Sequence, residues 1–121
     1  MLSRRQLFPL AGLAGITAFA GRAHAHHGWG GYDVDKAFTI TGPIVSATYE
    51  NPHCEAMVRG ADGKVWRLTL APPFRMQNRG VTADMLKPGT VCTSFAYPNK
   101  HEAGEARVER MTIDGKNFEL R

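Results

Sequence analysis

Residues 54–71 read Cys54-Glu55-Ala56-Met57-Val58-Arg59-Gly60-Ala61-Asp62-Gly63-Lys64-Val65-Trp66-Arg67-Leu68-Thr69-Leu70-Ala71. Two runs of alternating apolar and polar residues flank an Asp-Gly pair. Alternation is the period of a half-buried strand, and Asp-Gly is a hairpin turn signal. In the first run Cys54, Ala56 and Val58 share one face, and His53, Glu55 and Met57 share the other. In the second, Trp66, Leu68 and Leu70 face one way, and Arg67 and Thr69 the other. The stretch is a β-hairpin, and the rest of the chain must supply strands to cover it.

Downstream, Pro72-Pro73 stops the second strand. Phe74–Asn78 can make one or two helical turns, ended by Gly80. Thr82-Ala83-Asp84-Met85-Leu86 reads as a short helix with a Thr cap. Thr90–Tyr97 is a fourth strand, read with Val91, Phe95 and Tyr97 inward and Cys92 outward. Ala106–Ile113 is a fifth, and Phe118–Leu120 a closing segment. Glu105, Arg107, Glu109 and Arg110 read as one solvated strand face. Upstream, Phe38–Tyr49 is a long strand that Gly42-Pro43 should kink at a bulge, before Asn51-Pro52 breaks it. Five strands with a helical segment between the third and fourth predict an all-β, OB-like barrel. A simple meander or a split β-sandwich is the alternative.

The N-terminus sets the compartment. Arg4-Arg5 precedes an apolar, glycine-diluted run of about a dozen residues, and Ala23-His24-Ala25 supplies small residues for cleavage. Residues 1–25 therefore read as a cleaved signal peptide. Ser3-Arg4-Arg5-Gln6-Leu7-Phe8 is similar to a twin-arginine export signal, with ordinary export the alternative. The run is too short for a transmembrane helix, so no stable membrane anchor is expected after cleavage. Residues 26–37 then form an extended, glycine-rich arm, and 38–121 the barrel, in the periplasm.

The full chain of 121 residues carries 15 Lys and Arg against 11 Asp and Glu, a net charge of +4. The signal takes three arginines and no acid, leaving 96 residues with twelve bases, eleven acids and a charge of +1. The basic surface largely disappears, and with it the electrostatic argument for nucleic acid. No P-loop, G-x-S-x-G, H-E-x-x-H or C-x-x-C occurs, so no enzyme class is indicated.

Histidine placement is what remains. Cleavage after Ala25 would give His26 a free amine beside its imidazole. Those two nitrogens can chelate one ion, and His53 can complete an N₃ set that suits copper(II). His27 is a neighbouring alternative, and Met57 a soft ligand on the same strand face as His53. Cys54, Asp33 and Glu55 offer further ligand chemistry nearby. His101 reads as a solvated loop residue. Cys54 and Cys92 form a candidate disulfide in an oxidising compartment, but the expected faces disagree, so two free thiols stay open. Trp29, Tyr32, Tyr49, Trp66 and Tyr97 read as packing residues, with Trp29 and Tyr32 pinning the arm. They leave open a metal-free module that holds an envelope protein or glycan partner.

His26-His27-Gly28-Trp29-Gly30-Gly31-Tyr32-Asp33 after the signal, with Asn51-Pro52-His53, resembles a family of small exported bacterial proteins of unknown function. Trp66, Gly80 and Pro88-Gly89 also sit where that pattern expects them. The resemblance implies an OB-like barrel in the periplasm and brings no activity. Cys54 departs from the pattern, which makes the cysteine pair particular to this chain.

Overall fold

The computed structural model describes residues 28–121. The proposed signal peptide and the candidate ligands His26 and His27 lie outside the described residues. The chain divides into two compact units, Met1–Gly30 and Gly31–Arg121. Only Gly28–Gly30 of the first is described, and the described strands all belong to the second.

Six strands follow in chain order: β1 (Phe38–Thr48), β2 (Glu55–Arg59), β3 (Val65–Thr69), β4 (Val91–Pro98), β5 (Glu105–Ile113) and β6 (Lys116–Glu119). Helix α1 (Pro73–Arg79) and a 3-10 turn at Ala83–Leu86 lie between β3 and β4. The sheet order is β3-β2-β1-β4-β5-β6, and a parallel pairing of β3 with β5 closes the first five strands into a barrel. The expected five-stranded OB-like barrel, with its helical segment after the third strand, is the observed fold. The closing segment is a true strand, β6, paired antiparallel with β5. No helix of the described residues is long and apolar enough to cross a membrane.

β1 makes the closure possible. Residues 38–43 pair with β4, and 44–48 pair with β2. The strand therefore passes from one side of the barrel to the other. The bulge lies between Ile44 and Ser46, just beyond the expected Gly42-Pro43. Gly42 has a separate job: a Cβ there would stand 1.8 Å from the Arg59 carbonyl oxygen. Only a residue without a side chain lets β1 pass that close to the end of β2.

The β2–β3 hairpin forms as its turn residues dictate. The Gly60 N–H donates to the Lys64 carbonyl at 2.9 Å, and the Lys64 N–H donates to the Asp62 carboxylate at 2.9 Å. Gly63 takes φ +86°, which favours glycine. α1 starts with Pro73 in its first turn and ends at Gly80 (φ +95°), whose N–H donates to the Gln77 carbonyl at 3.0 Å.

Ala56, Val58, Leu68, Ala106, Val108 and Met111 fill the interior, and Met76 of α1 and Leu86 are buried with them. β4 reverses the expected phase. Cys92, Ser94 and Ala96 are buried, whereas Val91 is exposed and Phe95 and Tyr97 are half-buried. β4 pairs with both β1 and β5, and its inward side chains are the small ones. Phe95 instead packs on the outside, edge-on to Tyr97 at 5.6 Å and under the Arg110 guanidinium at 5.7 Å.

Candidate functional site

His53 follows the cis Asn51–Pro52 bond and leads into β2. Its neighbour is fixed from both sides: the Cys54 N–H donates to the Ala71 carbonyl and the Leu70 N–H to the Cys54 carbonyl, each at 2.9 Å. Alternation from that point holds as expected. Cys54, Ala56 and Val58 are buried, while His53, Glu55 and Met57 are half-buried. The His53 Nδ1 is buried and has no hydrogen-bond partner, the only side-chain nitrogen or oxygen of that kind among the described residues. Native structures rarely leave such an atom unpaired, because the omission costs about 1–3 kcal/mol.

Met57 shares a face with His53 but not a position. Four residues of extended chain separate them by roughly 13 Å, too far for easy ligation of one ion. Among the described residues no three His, Cys, Asp or Glu side chains cluster in a metal-holding group. Cys54 and Cys92 are both buried free thiols, so the candidate bridge is not formed in the structure. Burial pushes the Cys54 thiol up to about 11 and raises that of Cys92 as well, against a weaker lowering by the Ser94 hydroxyl. His101 is exposed, as expected.

The outer face beside His53 carries a network that sequence reasoning missed. Glu105 is 3% exposed rather than part of a solvated stripe. Its carboxylate accepts from the Tyr32 hydroxyl at 3.0 Å, the Thr69 hydroxyl at 2.5 Å and the Asn99 amide at 2.7 Å. Arg107, Glu109 and Arg110, read as the same solvated stripe, are half-buried as well. Arg67, next to Glu105 in the β3–β5 register, pairs with Glu55 at 3.3 Å and with Glu102. Burial works to lower the Arg67 pKa, but the surrounding carboxylates hold it above its usual value. Burial, and then the Glu105 charge, raise the Tyr32 hydroxyl.

Tyr32 does pin the arm, although the described part of the arm is not extended. It forms 3-10 turns at Trp29–Gly31 and Val34–Lys36, the second capped by the Asp33 carboxylate, which accepts the Asp35 N–H at 3.1 Å. Between them Tyr32 bridges to Asn99, and the Asp33 N–H donates to the Pro98 carbonyl at 2.9 Å. The arm is thus anchored through Tyr32 and Asp33 to the β4–β5 connection and the start of β5. Tyr32 and Thr69 share Glu105, Thr69 is the register partner of Glu55, and Glu55 is two residues from His53. Nothing local in the sequence marks Glu105. Its outward parity is that of a solvated residue, and only the overlying arm and the Asn99 loop bury it.

No curated protein matches the chain at a significant level. A profile described as a family of unknown function, DUF6152, matches residues 14–107, a span that includes His26, His27, His53 and Glu105. The match covers most of the chain, which therefore belongs to that family of unknown function.

Proposed function

We propose that the protein is an exported, non-enzymatic copper-binding module that captures or delivers the ion in the periplasm. Cleavage after Ala25 would give His26 an amine and an imidazole, and His53 would add the third nitrogen. His27 is the alternative ligand. Such a set suits tetragonal copper(II). The observation that carries the reading is the buried, unpartnered Nδ1 of His53. The six residues from His26 to Tyr32 span at most about 20 Å, and Tyr32 shares Glu105 with Thr69, the register partner of Glu55.

Mass spectrometry of the exported protein should give a mature N-terminus at His26. Copper(II) titration of that species should then show at least tenfold weaker binding in His53→Ala. Equal affinity in both would reduce the site to a peptide-like terminal chelate and sink the reading.

A second reading is a metal-free OB-like module that holds an envelope partner. It is favoured by the cleft of about 520 Å³ lined by Phe38 and Trp66, whose rings meet at a tilt with centroids 4.7 Å apart, the Lys64 ammonium lying 5.6 Å from the Trp66 ring. Binding of a glycan there, with no copper effect of His53→Ala, would support it instead.

A further inference from the structure

α1 presents a surface that the copper reading does not use. Its inward residue, Met76, is fully buried, and Pro73 and Gly80 define its ends. Phe74 points the other way and is 73% exposed, the most exposed of the large apolar side chains described. A lone exposed apolar residue is ordinary and means nothing by itself. Here, however, Phe74 shares a surface cleft of about 390 Å³ with Pro72, Arg75, Asn78 and Arg79.

The charge around that cleft is one-sided. Arg75 and Arg79 are one helical turn apart, a like-charged spacing that slightly disfavours the helix. No Asp or Glu occurs anywhere from residue 63 to residue 83. Among the described residues no Asp or Glu side chain lies within ion-pair distance of either guanidinium. Arg79 donates instead to the main-chain oxygen of Arg121 at 2.8 Å. Arg107 lies below its ordinary value, through burial first and then through the neighbouring Arg75 and Arg121 charges, with Tyr32 and Glu105 opposing them. The Arg75 charge therefore reaches the half-buried Arg107 behind it.

We propose that this face of α1 docks an acidic segment of a partner protein. Carboxylates would take the guanidinium forks of Arg75 and Arg79, and an apolar side chain would cover Phe74. An exposed aromatic residue flanked by arginines is the composition of interface anchors. An anionic membrane surface fits less well, since one aromatic side chain on a seven-residue helix buries little apolar area.

The test uses the purified protein, a short fluorescein-labelled peptide alternating Glu and Leu, and phosphatidylglycerol vesicles. The peptide should bind by anisotropy, more weakly at high salt, and about tenfold more weakly to Phe74→Ser and to Arg75→Glu. Circular dichroism should show both variants folded as the parent. No peptide binding, or equal binding by folded parent and variants, overturns the proposal. Sedimentation of the parent but not the variants with vesicles, without peptide binding, replaces it with a membrane surface.

Discussion

Glu105 is a single acid that ties three distant pieces of chain together: Tyr32 of the arm, Thr69 of β3 and Asn99 of the β4–β5 loop. Glu105→Ala would strand three donors in a covered place, at a cost of about 3 kcal/mol in urea unfolding. Glu102→Ala, which removes an exposed partner of Arg67, should cost under about 1 kcal/mol in the same assay. Gly42→Ala is a severe change, because backbone, not a flexible side chain, occupies the space. It should destabilise by at least about 3 kcal/mol. The thiols give a pH effect of fixed sign. An unfolded Cys54 ionises near 9.0 and the folded one near 11, so the folded state holds its proton longer. The stability this contributes is complete below pH 9 and declines as pH rises towards 11. Thermal melts across that window should fall for the parent and flatten for Cys54→Ala.

β4 is the element whose outward appearance misleads. Its large residues, Phe95 and Tyr97, are outside, and Cys92, Ser94 and Ala96 point into the barrel. Ala96→Leu should therefore cost about 1–3 kcal/mol by overpacking, more than Phe95→Ala, which removes only half-covered contacts. Chemical denaturation of the two variants decides the order. Parity alone could not settle this strand, since apolar size argued for one phase and barrel volume for the other. The hairpin was legible because Asp62-Gly63 sits between two clean alternations. The helix end was legible because Gly80 is the residue a left-handed cap requires. The outward face of His53, Glu55 and Met57 followed from the same alternation. Burial of Glu105 was not legible, since it depends on an arm more than 70 residues away in sequence.

At the scale of the molecule, closure rests on a short seam. β3 meets β5 only through Arg67–Glu105, Leu68–Ala106 and Thr69–Arg107. Leu68 is the fully buried residue at its centre. Leu68→Ala should lose about 2–5 kcal/mol and raise amide exchange in β3 and β5 ahead of the β1–β4 pairing. Retention of native exchange along the seam would show that the barrel is held elsewhere.

β5 divides its second edge between two partners. Its first residues pair with β3, and Arg110–Ile113 pair with β6. The outermost rung of the sheet is thus a four-residue strand with Lys116 at one end and Glu119 at the other. A short, charged border is a poor template for an incoming chain. Among the described strands, this border therefore gives a neighbouring molecule at high local concentration little on which to add a strand.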